Sequence, residues 1–156
     1  MLKPRTTCGV FYFWMMPKNT FKKEERLTNK KTFELLFEKG KSFAVFPFRI
    51  VWTEPTEQNA FPVKLGISVP KKSFAKAIQR NRIKRRIREA YRKNKHCLYE
   101  VLEKKNLSTA VMLIYTSKEE QVYRQIENKM ILSLQKLSAI VEQNNNSSVW
   151  FVDDKI

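Results

Sequence analysis

The fifteen residues Gln79–Lys93, QRNRIKRRIREAYRK, decide how the rest of the chain is read. Eight of them are basic and one, Glu89, is acidic. Ile83, Ile87, Ala90 and Tyr91 recur at i, i+4, i+7 and i+8, which predicts a helix with one apolar stripe. Asn81, Arg82, Lys84, Arg85, Arg86, Arg88 and Arg92 fall on the remaining circumference. Arg80 projects beside the stripe, in the first turn, where a long side chain still reaches outward. A helix of this kind needs a core under its stripe and leaves a basic arc facing away from it.

The composition allows that core. The chain has 156 residues, 42% of them hydrophobic and 12% aromatic, enough for one ordinary folded domain. Residues 1–20 read as an N-terminal extension, 21–141 as the domain and 142–156 as a polar tail. The balance of 31 basic and 15 acidic residues gives a formal charge of +16, which favours a polyanionic partner. The charge is a patch rather than a coating, because Lys71–Lys95 holds twelve basic residues against Glu89 alone. Cys8 and Cys97 form neither a CxxC pair nor a disulfide framework, which fits a reducing cytoplasm. The run GVFYFWMMP near the N-terminus is too short to span a bilayer, and no small-residue cleavage site follows it. Met1–Met15 reads as an extension, or as sequence upstream of a true start at Met16.

The flanking sequence supplies the layers. LTNKKTFELLFEKGKS predicts a short helix capped by Thr28 or Asn29 and closed by Gly40, with Phe33, Leu36 and Phe37 on one face. In SFAVFPFRIVWTE, the apolar set Ala44, Phe46, Phe48, Ile50 and Trp52 alternates with Val45, Pro47, Arg49, Val51 and Thr53. Pro47 splits this run into two strands or marks an edge. VKLGISV predicts a strand with Val63, Leu65, Ile67 and Val69 on one side and Lys64, Gly66 and Ser68 on the other. TAVMLIYT reads as a buried central strand. The last helix is expected to start at a capping box of Ser117 and Glu120. Its inward stripe is Val122, Ile126, Met130, Leu134, Leu137 and Val141. The order is helix, two or three strands, basic helix, strand, helix: an α+β domain with a small sheet packed on helices.

Catalytic chemistry is hard to place on this chain. His96 is the sole histidine and reads as a surface residue at a helix end. One histidine and no cysteine pair make a zinc site a poor expectation, and no other metal site is assigned. KEE at Lys118–Glu120 suits a helix start, and KKEER at Lys22–Arg26 reads as solvated surface. With three glycines in all, the chain has no phosphate-cradling glycine loop. Phosphate recognition by arginine reads better, since the guanidinium fork binds phosphate bidentately. A major-groove reader needs a support helix just before the basic helix, and strands occupy that position; no DNA is expected as a partner. Structured RNA fits a broad basic arc. Phe33 and Phe37 are either stacking platforms for single-stranded bases or ordinary core residues.

The segments RNRIKRRIREAYR (Arg80–Arg92), LGISVPKK (Leu65–Lys72), ERL (Glu25–Leu27) and FELLFEKGKSF (Phe33–Phe43) resemble the protein component of bacterial ribonuclease P. The resemblance runs from about Phe21 to Val141, with elements in the family's order. It implies an αβββαβα domain with a mixed sheet packed on helices (ribosomal-protein-S5-domain-2-like), whose parallel crossover is left-handed against the usual rule. It implies that catalysis belongs to a large RNA with magnesium ions, and that the protein is a cytoplasmic subunit of this endonuclease. It also implies binding to the 5′ leader of precursor tRNA, whose hydrolytic removal gives the mature 5′ end. By position, Arg80, Asn81, Arg82, Lys84, Arg85 and Arg88 would face the catalytic RNA. Phe33, Phe37, Arg49, Val51, Ser68 and Lys72 would line or rim the leader cleft. The segment KKSFAKAIQ lacks a glycine that many members carry there. A non-catalytic RNA-binding protein, such as a ribosome-associated factor or RNA chaperone, is the alternative.

Overall fold

The computed structural model describes residues 20–53, 56–57 and 61–146. The expectations for the N-terminal extension and Cys8 lie outside those residues, apart from Thr20. A 3-10 turn at Lys23–Glu25 precedes α1 (Lys30–Lys39), β1 (Lys41–Val45), β2 (Phe48–Trp52), the short β3 (Thr56–Glu57) and β4 (Val63–Ser68). Then come α2 (Ala77–Asn94), α3 (His96–Lys104), β5 (Leu107–Tyr115) and α4 (Tyr123–Asn146). The expected αβββαβα order holds, with β3 and α3 as additions. In α3, Leu98 and Leu102 are buried at an i, i+4 spacing. Asn106 turns the chain from α3 into β5 with φ of 54°, a left-handed conformation that asparagine tolerates.

β5 is the centre of the sheet. It pairs antiparallel with β2 and parallel with β4, and β1 pairs antiparallel with β2 at the outer edge. β3 pairs antiparallel with the start of β5. A central strand buries both faces, which is why TAVMLIY reads as a continuous apolar run. Val111, Leu113 and Tyr115 enter a large core with Phe48, Ile50, Trp52 and the buried stripes of α2, α3 and α4. Ala110 and Met112 enter a second, smaller core with Leu36 and Val51 on the face that carries α1.

The α2 stripe is buried as expected, with Ile83, Ile87, Ala90 and Tyr91 no more than 1% exposed. Three other expectations change. Pro47 does split the first strand run, but the split also inverts its parity. Val45 pairs with Phe48 across the turn, so Phe43 lies opposite Ile50 and Ala44 opposite Arg49. Phe43 therefore joins the large core, while Ala44 and Phe46 are exposed. Ser117 and Glu120 do not cap α4. The Ser117 hydroxyl accepts from the Glu119 amide at 3.1 Å, and the Tyr115 hydroxyl donates to the Glu119 carbonyl at 2.8 Å. These bonds hold SKEEQ in a turn, α4 starts at Tyr123, and Val122 is exposed. Ile126, Met130, Leu134, Leu137 and Val141 form the buried stripe as expected. At its other end α4 continues past Val141 to Asn146, into the stretch expected to be tail.

KKEER is not solvated throughout. Glu25 is buried, and its carboxylate lies 2.7 Å from Lys95 Nζ, itself buried at the α2–α3 junction. The Tyr99 hydroxyl donates to the same carboxylate at 2.9 Å. Downstream, Arg26 bridges Leu65 and the Leu27 amide donates to the Leu65 carbonyl at 2.9 Å. ERL thus straps the chain along the edge of β4 before α1 begins.

Candidate nucleic-acid interface

Helix α2 carries the basic arc, and its arginines do different things. Arg80 turns back and donates to the carbonyls of Phe74 and Ala75 at 2.8 and 2.7 Å. Phe74 is buried, with its ring 6.0 Å from that of Tyr115. Arg80 therefore closes the glycine-free segment before the helix, by hydrogen bonds that satisfy two loop carbonyls. Arg86 is 2.9 Å from Glu120 and donates to the Gln121 carbonyl at 2.8 Å, which ties the turn before α4 to α2. Arg82 is exposed and only 3.5 Å from Glu120. Arg92 forms a two-pronged pair with Glu89 at 2.6 and 2.9 Å. Asn81, Lys84, Arg85 and Arg88 form no side-chain hydrogen bond or ion pair among the described residues. Burial, and then the guanidinium groups of Arg26 and Arg85, hold Arg88 below the ordinary arginine range. That corner of the arc concentrates unneutralised positive charge.

The opposite face of the sheet carries a second candidate surface. Asn29 caps α1, its side chain accepting from the Lys31 amide at 3.1 Å. Gly40 ends α1 in an extended conformation rather than a left-handed one. A side chain there would collide with the Leu36 carbonyl and lie 3.0 Å from Val51 Cγ1. Leu36 is the buried residue of α1 and seats it on the sheet. Phe33 and Phe37 are 38% and 56% exposed, with ring centroids 5.2 Å apart. Neither ring belongs to either buried core cluster.

The strand register sets what lies on the same sheet face. Ala44, Arg49, Ile114 and Ser68 form one row across β1, β2, β5 and β4. Arg49 is exposed and donates to the Ser42 hydroxyl at 3.4 Å. The next row runs through Ser42, Val51, Met112 and Gly66. Gly66 leaves room for Met112, since a Cβ there would meet its Cε at 2.7 Å. The structure therefore puts Arg49 and Ser68 on one accessible row, while Val51 is only 8% exposed beneath α1. Val51 supports this surface from below rather than lining it. Lys72 is exposed in the turn after β4.

Sequence reasoning missed Glu120 as the partner of Arg82 and Arg86, and Glu25 as that of Lys95. Both contacts join segments far apart in the chain, so no spacing rule signals them. His96 is half-buried at the start of α3, and the Cys97 thiol is exposed. Among the described residues no group of three or more His, Cys, Asp or Glu side chains is arranged to hold a metal. No described helix is long and apolar enough to cross a membrane.

The family model for ribonuclease P matches residues 21–138. The chain belongs to the ribonuclease P protein family. A ribonuclease P protein component from Porphyromonas gingivalis is 37% identical over 119 residues, covering 76% of this chain and 87% of the relative. One from Streptococcus pneumoniae is 34% identical over 126 residues, covering 81% and 94%. The ribonuclease P protein structure from Thermotoga maritima superposes with a TM-score of 0.56 at 26% identity, covering 71% of this chain and 96% of that one. The Staphylococcus aureus structure gives a TM-score of 0.51 at 26% identity, covering 73% and 94%. A ribonuclease P protein is a subunit of a ribonucleoprotein endoribonuclease that processes tRNA, and the family implies binding to RNA. Catalysis by the RNA subunit is consistent with this family.

Proposed function

We propose that the two faces divide the work of the ribonuclease P holoenzyme. The basic arc of α2 binds the catalytic RNA, through Asn81, Arg82, Lys84, Arg85 and Arg88. Arg80 shapes the approach to that helix from within. The α1–sheet surface, with Phe33, Phe37, Arg49 and Ser68 and with Lys72 at its rim, holds the 5′ leader of precursor tRNA. Exposed paired phenylalanines suit stacking on single-stranded bases, and Arg49 and Lys72 suit the leader's phosphates. The magnesium ions of the reaction belong to the RNA and the substrate phosphates, and the complex works in the cytoplasm.

The observation that carries this reading is the exposure of Phe33 and Phe37 on the sheet face opposite α2. A chain that needed them for folding would bury them. The protein's contribution is then charge screening and substrate positioning, which lower the need for magnesium. The test is cleavage of precursor tRNA by the cognate catalytic RNA at low magnesium, with and without the protein. Stimulation is expected, together with tighter holoenzyme binding of precursor tRNA than of mature tRNA. Equal affinity for the two would favour a general RNA-binding role and remove the leader from the proposal.

A further inference from the structure

A pocket of about 430 Å3 opens between the N-terminal strap and α2, lined by Phe21, Arg85, Arg88, Glu89 and Arg92. Its size lies within the ~300–1,000 Å3 of ordinary small-ligand sites. Phe21 forms an aromatic wall, held edge-to-face against buried Tyr91 at 5.9 Å. The preceding residue is also fixed, since Lys95 Nζ donates to the Thr20 carbonyl at 2.7 Å. The guanidinium of Arg26 lies 5.7 Å from the Phe21 ring centroid. The one acid of the lining, Glu89, is already paired with Arg92 at 2.6 Å and with Lys93 at 3.7 Å. Arg85 and Arg88 have no acid of their own among the described residues.

An inorganic anion would need only the two arginines. An acidic peptide would satisfy them but would need a separately placed aromatic side chain to match the ring. A nucleotide matches both features, with a negative phosphate and a π-face on neighbouring atoms. We infer that this pocket binds one unstacked nucleotide of single-stranded RNA, its base against Phe21 and its phosphate between Arg85 and Arg88. The inference rests on the reading that the α2 arc faces RNA. It adds a stacking site, supplied by the strap before ERL, to what is otherwise a charge-only surface. The nucleotide comes either from an unpaired position in the catalytic RNA or from precursor tRNA.

The test compares Phe21→Leu with Arg88→Gln in the full-length protein. Leucine keeps apolar contact with Tyr91 but cannot stack. Phe21→Leu is expected to weaken binding to the catalytic RNA by roughly five- to hundredfold. The slope of log affinity against log salt should not change, because no charge is lost. Arg88→Gln, at a residue outside the buried core, should weaken binding and also lower that slope by about 0.7–0.9. A matching loss in precursor-tRNA affinity at saturating protein, with catalytic-RNA binding unaltered, would assign the same pocket to the substrate. Unaltered affinity for both RNAs in Phe21→Leu, with an unaltered melting temperature, overturns the pocket. Should Phe21→Leu fail to fold, Arg88→Gln decides, and unaltered affinity and slope there overturn it. Arg82→Ala and Lys84→Ala separate the underlying reading, since unaltered affinity in both removes the arc from the RNA interface altogether.

Discussion

Phe33 and Phe37 occupy the same helix face as buried Leu36, at a spacing that suits a core stripe equally well. Their exposure leaves both rings available to the proposed leader surface. Phe33→Ala is expected to cost about 1–3 kcal/mol of precursor-tRNA affinity relative to mature tRNA. Its unfolding free energy should stay within about 0.5 kcal/mol of the parent, as for other surface changes. Equilibrium binding and denaturant melts on the same preparation check both halves, and a large loss of stability would return Phe33 to the core. Glu120 acts the other way on the opposite face. It pairs with Arg86 and lies near Arg82, so under the proposed function it would compete with RNA phosphate for part of the arc. Glu120→Gln should tighten binding to the catalytic RNA by up to about fivefold at low salt, the effect fading as salt rises. A salt titration of the variant beside the parent measures this, and weaker binding would show that the turn before α4 matters more than the competition. Arg80 illustrates the limit of reading arcs from helical wheels. Its projection beside the stripe was legible, but its hydrogen bonds to Phe74 and Ala75 depend on a loop path that no periodicity specifies.

At the scale of elements, the strap through Glu25–Leu27 is the part the sequence concealed most completely. KKEER has the composition of solvated surface, yet Glu25 and Lys95 bury one another some seventy residues apart in the chain. Removing one partner strands the other in a poor solvent for charge. Glu25→Gln should cost about 3–5 kcal/mol of stability. The double change Glu25→Leu with Lys95→Met should recover much of that loss, because an apolar pair needs no counter-ion. Urea unfolding of the three proteins decides it, and a small effect of Glu25→Gln would mean water reaches the pair. The hairpin teaches a related lesson. Alternation across Phe43–Trp52 is visible in the sequence, but a tight turn that pairs Val45 with Phe48 swaps the faces of everything before it. Periodicity identifies which residues share a face within one strand, and the turn decides how two strands agree.

For the whole molecule, the chemistry buried at the α2–α3 junction predicts a response to alkali. Burial is the main cause holding the Tyr91 and Tyr99 hydroxyls above the ordinary tyrosine range. The unfolded chain ionises these groups near pH 10, so above that point it binds fewer protons than the folded state. Their contribution to stability is complete below about pH 10 and is lost as pH climbs toward the folded values. Circular dichroism across an alkaline titration should show cooperative unfolding, shifted to higher pH in Tyr99→Phe; titration of both tyrosines at ordinary pH without unfolding would contradict it. The sequence by itself determined the order of the main elements without β3 and α3, the buried stripe of α2 and, from Ile126 onward, that of α4, the central strand and the basic arc. All of these rest on local periodicity and charge density, which are properties of neighbours in the chain. Only the tertiary structure decided that Phe33 and Phe37 are exposed, that Arg80 and Arg86 are engaged within the fold, and that Glu25 and Phe21 pack at the foot of α2. Those outcomes depend on which distant segments meet, and burial and pairing are properties of that meeting rather than of any one segment.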